Sequence, residues 1–398
     1  MRWESRCLDQ VADFCLGKML DEKKNRGEAF PYLANINVRW GEFDLKDLRL
    51  MRFESDEMER YGLKLGDIVM CEGGEPGRCA IWREQLPGMM IQKALHRIRP
   101  HDCLDYRFLY YSFLQMGKIG RFSEFLTGAT IKHLPRQNLA KLEIAVPPLS
   151  LQLRIADILS SYDDLIENNR RRMGLLEEAA RLLYQEWFVR LRFPGHEHTH
   201  ITNGVPEGWG KCRVGNLGAV ITGKTPSTKN LDNYGGTIPF VKTPDMHGNI
   251  FVTATETSLT EKGANTQPRK FIPKNTLLIS CIGTIGVVSL TSVKSQFNQQ
   301  INAVIPLEES YLYYCFFAFK DLKESMEAIG GGATMGNVSK TKFEGLEILK
   351  PTATLFREFH EYCCPIFDQT RNLQHQNQKL RAARDLLLPR LMSGEMAV

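Results

Sequence analysis

The chain repeats itself, and this internal repeat constrains its fold more than any other feature of the sequence. At an offset of 206 residues the matching positions are Trp3 and Trp209, Gly17-Lys18 and Gly223-Lys224, Gln92 and Asn298, and Pro100 and Pro306. At an offset of 204 they are Gly128-Ala129-Thr130 and Gly332-Ala333-Thr334, Leu142 and Leu346, and Pro147 and Pro351. These ordered matches predict two copies of one structural unit in a 398-residue chain, which is long enough for each copy to have a core.

The first part of each copy is predicted to be a mixed α/β (α+β) globular domain. Short β-rich runs alternate there with glycine- and proline-rich turns. The runs lie at 68–71, 79–82 and 142–146 in the first copy, and at 277–282, 286–290 and 346–349 in the second. Residues 106–116 and 311–329 are predicted to be helical.

After the proline that ends each domain, mostly apolar residues recur with the period of an α-helix. Residues then recur at three- and four-residue steps, which is the a/d pattern of a coiled coil. The first copy has Ile155, Ile158, Tyr162, Leu165, Asn169, Met173, Leu176, Ala180, Leu183 and Trp187 at these positions. The second has Phe359, Tyr362, Ile366, Gln369, Leu373, Asn377, Leu380, Arg384, Leu387 and Leu391. We expect the two helices to pair with each other, with the polar members fixing the register; the alternative is that each helix packs only on its own domain.

These patterns divide the chain into five segments. The predicted boundaries are a first domain at 1–148, a central long helix at 149–192, a linker at 193–208, a second domain at 209–351 and a C-terminal long helix at 352–398. The linker is polar and rich in turn formers. His196, His198 and His200 alternate within it, but they have no Cys or acidic partners at metal-ligand spacing, so they are predicted to be solvated loop residues and not a zinc site.

Composition excludes some classes of protein without identifying one. The formal charge of +5 permits an anionic partner but does not prove that nucleic acid is bound. The ten cysteines are scattered and form no C-x-x-C pair, so a disulfide framework or a zinc motif is unsupported. The most apolar runs are too short or too polar to span a bilayer, and we expect a reduced, cytoplasmic protein without a membrane partner.

Several motifs resemble those of the specificity subunits of type I restriction-modification enzymes. They are Pro206-Glu207-Gly208-Trp209, Leu183-Tyr184-Gln185-Glu186-Trp187-Phe188, Pro147-Pro148-Leu149 with Gln152 and Ile155, and the run from Leu386 to Gly394. The resemblance covers nearly the whole chain, although the second proline of the P-P-L motif is Thr352 in the second copy. It implies that each α/β domain is a target recognition domain for one half of a bipartite, asymmetric site in double-stranded DNA. It also implies that two antiparallel helices hold the domains apart.

The resemblance further implies a division of labour between subunits. Two modification (methyltransferase) subunits would dock on the helices, and restriction (translocase/nuclease) subunits would join through them. S-adenosylmethionine, ATP and Mg would then be bound by those partners, and this chain would be non-catalytic, with no cofactor or metal of its own. The sequence agrees with this implication, because it contains no N-P-P-Y-like tetrapeptide and no glycine-rich cofactor loop after a strand.

One motif points to a different function. Residues 218–225 satisfy the pattern G-x-x-x-x-G-K-[ST] of phosphate-binding loops. Such a loop needs a buried strand before it and a long helix directly after it, so that the helix N-terminus faces the phosphates. The flanking sequence predicts neither, and copy one keeps only Gly17-Lys18 of the pattern. An ATPase or another self-contained enzyme is therefore the second hypothesis, and a coiled-coil interaction scaffold is the third.

The same segments suit contacts with DNA. Glycine allows a close approach of the backbone to a phosphate, and lysine and hydroxyl side chains donate to phosphate oxygens. Glutamine, asparagine and lysine can also read base edges, although polar loop residues often bind nothing. The predicted DNA-binding residues are Lys18, Gln92, Lys93, Thr130, Lys132, Lys224, Thr225, Ser227, Lys229, Asn298, Gln299, Thr334 and Lys340.

Overall fold

The structure is a computed structural model that describes residues 3–19, 21, 25–331, 336–396 and 398. The chain divides into two compact units. The first unit comprises Met1–Ile166 and Leu380–Val398, and the second unit comprises Glu167–Lys379. Each unit contains one mixed α/β domain and a part of each of two long helices, so the predicted fold class is confirmed.

The described residues of the first domain form four sheets, two larger ones and two of two strands each. Its strands are β1 (Glu4–Cys7), β2 (Ala12–Leu16), β3 (Glu28–Leu33), β4 (Val38–Arg39), β5 (Glu42–Phe43), β6 (Arg49–Phe53), β7 (Ile68–Cys71), β8 (Cys79–Ile81), β9 (Met90–Ile91), β10 (Leu95–Pro100) and β11 (Glu143–Val146). Its helices are α1 (Met58–Tyr61), α2 (Tyr106–Lys118) and α3 (Arg136–Ala140). The main sheet is antiparallel in the order β2-β10-β7-β8, and the second sheet has the order β6-β3-β9. The pairs β1-β11 and β4-β5 complete the described strands.

Helix α2 covers the main sheet of the first unit. It begins where the Asp105 carboxylate accepts hydrogen bonds from the backbone nitrogens of Arg107 and Phe108, at 2.9 and 3.0 Å. Its side chains Phe108 and Phe113 are fully buried in the same core as Ile68 and Ile98 of the sheet. Burial of these apolar surfaces is the main source of stability in the domain.

The domain of the second unit follows the first along the chain. Its strands are β12 (Ile201–Thr202), β13 (Val205–Pro206), β14 (Gly210–Arg213), β15 (Gly218–Thr222), β16 (Tyr234–Val241), β17 (Phe251–Val252), β18 (Thr257–Leu259), β19 (Leu277–Ser280), β20 (Val288–Thr291), β21 (Gln296–Phe297), β22 (Ile301–Pro306) and β23 (Glu347–Lys350). Its short helices are α5 (Thr243–Met246), α6 (Glu261–Asn265), α7 (Leu312–Asp321), α8 (Lys323–Gly330) and α9 (Lys340–Glu344). The single helix predicted for 311–329 is therefore divided at Leu322 into α7 and α8.

The two domains share one pattern of backbone pairing, which extends the repeat from sequence to structure. Glu4 pairs with Val146 and Gly210 pairs with Lys350, so the first and last strands of each domain lie together. The main sheet of the second unit has the order β15-β22-β19-β20-β17, in which β17 is an added strand parallel to β20. The smaller sheet, β18-β16-β21, repeats the parallel pairing that β3 makes with β9.

Two long helices, α4 (Leu149–Tyr184) and α10 (Ala353–Met392), contribute to both units. In the second unit, Asn169 Nδ2 donates to Asn377 Oδ1 at 2.9 Å, and the Trp187 ring lies 5.9 Å from the ring of Phe359. From the first contact to the second, the residue number rises along α4 and falls along α10. The two helices are therefore antiparallel. The predicted pairing is confirmed, and the alternative that each helix packs only on its own domain is wrong.

In the first unit the same helices pair through charge and apolar contact. The Arg384 guanidinium forms an ion pair with Asp163, whose other oxygen accepts from Tyr111 Oη at 2.7 Å. Leu388 and Leu391 of α10 are fully buried in the core that also contains Ile155. Three polar residues of the predicted seam, Asn169, Asn377 and Arg384, are thus matched across the helix pair.

The predicted a/d stripe is displaced by one residue at three places. Leu165, Tyr362 and Gln369 are exposed, whereas their neighbours Ile166, Cys363 and Thr370 are buried. The physical reason is that each helix packs on an α/β domain as well as on the other helix. For example, Gln374 Oε1 accepts from the backbone nitrogen of Phe251 at 3.1 Å, which brings a face outside the predicted stripe into contact with the domain.

The end of α4 is anchored in the core of the second unit by aromatic rings. The Phe188 ring lies 5.9 Å from Trp209, 4.9 Å from Tyr314 and 5.0 Å from Phe359. Phe188 belongs to a π-helical turn, Gln185–Val189, that follows α4.

None of the described helices combines the length and the apolar character that a membrane span needs.

Candidate DNA-binding surface

In each unit, the segment after the first strand of the main sheet runs beside the turn that precedes the adjacent strand. In the second unit, the backbone nitrogen of Gly223 donates to Ile301 O at 3.1 Å, and that of Lys224 donates to Phe297 O at 3.0 Å. In the first unit, Gly17 donates to Leu95 O and Lys18 to Ile91 O, at 2.9 and 3.1 Å. The fold therefore brings residues 17–19 next to Gln92 and Lys93, and residues 223–225 next to Asn298 and Gln299.

The glycine in each segment is required by a contact within the chain. A Cβ atom on Gly223 would lie 2.0 Å from Asn298 O, and one on Gly17 would lie 2.5 Å from Gln92 O. Both obstacles are backbone atoms, so neither can move without breaking the pairing of the segment. This steric requirement is independent of the predicted close approach to a phosphate, which stays a prediction.

The two equivalent lysines differ in burial. Lys18 is only 3% exposed, and its ammonium forms an ion pair with Glu57 and donates to Arg52 O at 3.0 Å. Burial alone would raise the pKa of Glu57, but the hydrogen bond and charge of Lys18 hold that pKa below its usual value. Lys224, in contrast, is exposed. The interior position of Lys18 differs from the expectation of a phosphate contact, because its ammonium is already used inside the domain.

The remaining predicted residues around Lys224 differ in exposure. Ser227, Lys229 and Gln299 are exposed, and Thr225 is half-buried, with its hydroxyl donating to Gln299 Oε1 at 2.5 Å. Asn298 is buried, and its Oδ1 accepts from the backbone nitrogen of Gln300 at 3.2 Å.

Gln92, the residue equivalent to Asn298 in the first copy, also accepts a hydrogen bond from the backbone two residues later. Gln92 is half-buried, and its Oε1 accepts from the backbone nitrogen of Ala94 at 3.2 Å. Lys93, the next residue, is exposed. Gln92 and Asn298 therefore shape equivalent turns, while Lys93 and Gln299 lie at the surface of those turns.

A second loop adjoins this surface in the first unit. Thr127 and His133 exchange two backbone hydrogen bonds of 2.9 Å, which closes a turn that presents Thr130 and Lys132 to solvent. His133 Nδ1 lies 3.0 Å from a carboxylate oxygen of Glu72. Backbone bonds from Glu72 to Ala94 and from Leu134 to Glu72, both 2.8 Å, join this turn to the Gln92-Lys93 turn.

The second unit repeats that linkage with different chemistry. The backbone nitrogen of Cys281 donates to Gln300 O at 2.7 Å, and its backbone oxygen accepts from the backbone nitrogen of Val338 at 2.9 Å. Cys281 therefore occupies the place of Glu72. Burial raises the pKa of the Cys281 thiol to about 11, so this position is neutral where the first unit has a carboxylate. Lys340 is exposed and lies 3.4 Å from Glu344, whereas Thr334 lies outside the described residues.

The sequence that matches a phosphate-binding loop does not form one. Residues 218–222 are strand β15, and none of residues 223–230, all of which are described, is helical. The helix N-terminus that such a loop requires is therefore not present at this place. Among the described residues there is also no group of three or more His, Cys, Asp or Glu side chains placed to hold a metal ion.

Sequence reasoning missed several residues of this surface. Glu72 joins the two turns of the first unit, and Gln267 and Gln296 support the Lys224 segment from the interior of the second unit. Gln267 Nε2 donates to Lys224 O at 2.7 Å across a separation of 43 residues. No local pattern could have indicated these contacts, because each one joins segments that are distant in sequence.

Comparison with known proteins gives one consistent result. The model of a family described as the type I restriction modification DNA specificity domain matches residues 1–178 and 206–353, which are the two copies of the repeat. The specificity subunit of the type I restriction enzyme HindI from Haemophilus influenzae is 29% identical over 329 residues, covering 67% of this chain and 72% of that protein. The specificity subunit of the type I restriction enzyme MjaIX from Methanocaldococcus jannaschii is 26% identical over 347 residues, covering 84% and 78%.

A solved structure supports the fold. The S subunit of a type I restriction-modification system from M. genitalium is similar with a TM-score of 0.54 and 16% sequence identity. The likeness covers 98% of this chain and 96% of that one. At this identity it is evidence for the fold alone.

Proposed function

Because the chain belongs to the type I restriction-modification DNA specificity subunits, which are the non-catalytic members of their complexes, we propose that its two domains read the two halves of a bipartite, asymmetric DNA site. This proposal rests on one observation. The two domains share the same backbone pairing but carry different side chains at the surface. At matched positions the first unit has Met19 and Lys93, and the second has Thr225 and Gln299. Different side chains on the same framework would recognise different bases.

In this proposal the chain directs chemistry that its partners perform. Two modification subunits methylate adenine with bound S-adenosylmethionine, and restriction subunits bind ATP and Mg. Helices α4 and α10 act as the spacer between the recognition domains. The complex acts in the cytoplasm, which is consistent with ten cysteines that are all free thiols.

The proposed phosphate contacts of the second domain are Lys224, Ser227 and Lys229. They are exposed neighbours on a segment whose backbone is fixed by the turn before β22. Lysine and serine side chains commonly donate to phosphate oxygens and position a protein on DNA without reading sequence. Lys18 is left out of this set because its ammonium is buried in an ion pair.

We expect Lys224→Ala to weaken DNA binding by the assembled complex by roughly 1 kcal/mol, because it removes one phosphate contact. The slope of log affinity against log salt concentration should become shallower by about one for the same reason. The measurement is DNA binding of the complex at several salt concentrations. Lys224→Arg keeps the charge and should keep the slope. An unchanged slope in the alanine variant would remove Lys224 from the proposed surface.

The proposed docking surface for the modification subunits lies on the long helices. Leu175 and Leu182 of α4 are exposed and seven residues apart, so they share one face of the helix. Leu182 is 45% exposed, and Leu386, at the equivalent position in α10, is 73% exposed. Exposed apolar rows of this kind often mark sites of protein association. One such site on each helix would account for two copies of one partner.

We expect Leu182→Glu and Leu386→Glu each to reduce the number of bound modification subunits from two to one, since a carboxylate would be buried at the contact. The double variant should bind none. Native mass spectrometry of the purified assembly measures this stoichiometry. Leu231→Glu, which changes an exposed leucine in a loop of the second domain, is the matched control and should leave two copies bound. Two copies on both helix variants would place the docking site elsewhere.

A further inference from the structure

The backbone around Lys224 is fixed by buried polar side chains of the second unit. Gln267 Nε2 donates to Lys224 O at 2.7 Å and to Gln296 Oε1 at 2.9 Å. Gln296 is fully buried, and its Nε2 donates to Ala264 O at 2.9 Å. Lys270 Nζ donates to Thr222 O at 2.8 Å on the other side of the segment. The Nε2 groups of both buried amides donate hydrogen bonds, and these bonds hold a segment at the surface in one position.

The fixed segment in turn orients one exposed side chain. Thr225 Oγ1 donates to Gln299 Oε1 at 2.5 Å, which turns the oxygen of the amide towards Thr225. The Nε2 group of Gln299 then faces away from Thr225, and it donates to none of the described residues. Exposed glutamine side chains normally lose much conformational freedom when they bind, so an amide already held in one orientation loses less.

The first unit has no counterpart of this hydrogen bond. Met19 stands at the position of Thr225 and Lys93 at that of Gln299. A thioether has no hydrogen to donate, so Met19 cannot orient its neighbour as Thr225 does. The same place on the shared framework therefore presents an ammonium group in one domain and an oriented amide in the other.

We propose that Gln299 reads an adenine in the second half-site, and that Thr225, supported by the buried Gln267-Gln296 pair, is its positioning residue. This inference rests on the proposed function. A glutamine amide can donate through Nε2 to adenine N7 while its oxygen accepts from the adenine N6 amino group. The Gln299 oxygen retains a second lone pair for N6, because Thr225 uses only one.

The test is competition binding by the assembled complex. The methylated sequence of the unaltered complex first defines the two half-sites, and DNA duplexes with each single base replaced then compete for binding. For Gln299→Ala we expect the preference for adenine at one position of the second half-site to fall by about tenfold or more. Preferences within the first half-site should not change. Gln299 is exposed, so thermal unfolding of the variant should match that of the parent.

Thr225 and a nearby threonine provide the matched pair of variants. Thr225→Val removes the hydroxyl at nearly constant volume and should weaken the same adenine preference by a smaller factor, whereas Thr225→Ser should restore it. Thr228→Val changes an exposed threonine in the same loop and should have no effect. A purely structural role for Thr225 would lower binding to all duplexes equally, so the base-specific change separates the two roles.

Three results would overturn the inference. They are an unchanged preference at every position of the second half-site in Gln299→Ala, a uniform loss of affinity for all duplexes, or relaxation at a base other than adenine. Failure of the proposed function is distinguishable from these, because the unaltered complex would then show no preference for any sequence.

Discussion

Replacing residues 209–351 with the equivalent domain of a related specificity subunit should change one half of the methylated DNA sequence completely and leave the other half unaltered. The expectation follows from the paired strands β14 and β23, which bring the two ends of the replaced segment together at Gly210 and Lys350. A graft at these ends leaves the pairing of α4 with α10 in place. Sequencing that detects methylated adenines, in a host that carries the complete system, measures both half-sites at once.

Part of the replaced segment packs against α4, so the exchange also changes a contact with the long helix. Helix α7 lies inside the replaced segment, and its Tyr314 and Phe317 rings pack 5.9 and 5.4 Å from Tyr184 of α4. A second chimera that replaces only residues 215–306 keeps this aromatic contact. Both chimeras should acquire the same new half-site, because the proposed base-reading loops lie within the shorter segment. Simultaneous change of both half-sites would show that the domains do not read DNA independently.

Truncating Phe188 should cause the largest loss of stability among single substitutions considered for the second unit. Phe188 is 7% exposed, and besides its helical neighbours Tyr184 and Trp187 it contacts the rings of Trp209, Tyr314 and Phe359. Removal of such a ring leaves a cavity, and Phe188→Ala should lower the free energy of unfolding of this unit by about 3–5 kcal/mol. Hydrogen exchange of the backbone amides of α7 reports this change for the second unit alone.

The next residue in the chain provides the control. Val189 belongs to the same π-helical turn but is exposed, so Val189→Ala should change the free energy of unfolding by no more than about 0.5 kcal/mol. Equal effects of the two substitutions would mean that the aromatic cluster does not anchor the end of α4.

The parts of the fold that could be predicted are those that the sequence repeats or that follow a period. Trp3 and Trp209 mark the starts of two domains that do have matching sheets, and the helical period after Pro147 and Pro351 leads into α4 and α10. Both signals come from order along the chain alone. The one-residue displacements at Leu165, Tyr362 and Gln369 could not be predicted, because they depend on which domain surface lies against each helix.

The candidate site was less predictable because equivalent residues have different partners. Lys18 and Lys224 align in the repeat, yet Glu57 draws Lys18 into the interior and Lys224 is exposed. Glycine at position 223 is expected from the sequence to allow close approach to a phosphate, and the structure adds a second requirement, because a Cβ atom there would meet Asn298 O. Distinguishing such cases requires the positions of residues that are distant in sequence.

The discontinuity of the first unit has a consequence for protein synthesis. Residues 1–166 are translated before the second unit, but two fully buried leucines of their core, Leu388 and Leu391, are translated after it. At about 5–20 residues per second, the intervening stretch takes roughly 10 to 45 s to synthesise. During that time the second unit is completed, while the first exposes the apolar surface that those leucines later cover. Of the two units, the one whose translation begins earlier is therefore completed later, and its uncovered apolar surface must be kept from aggregating for the whole of that interval.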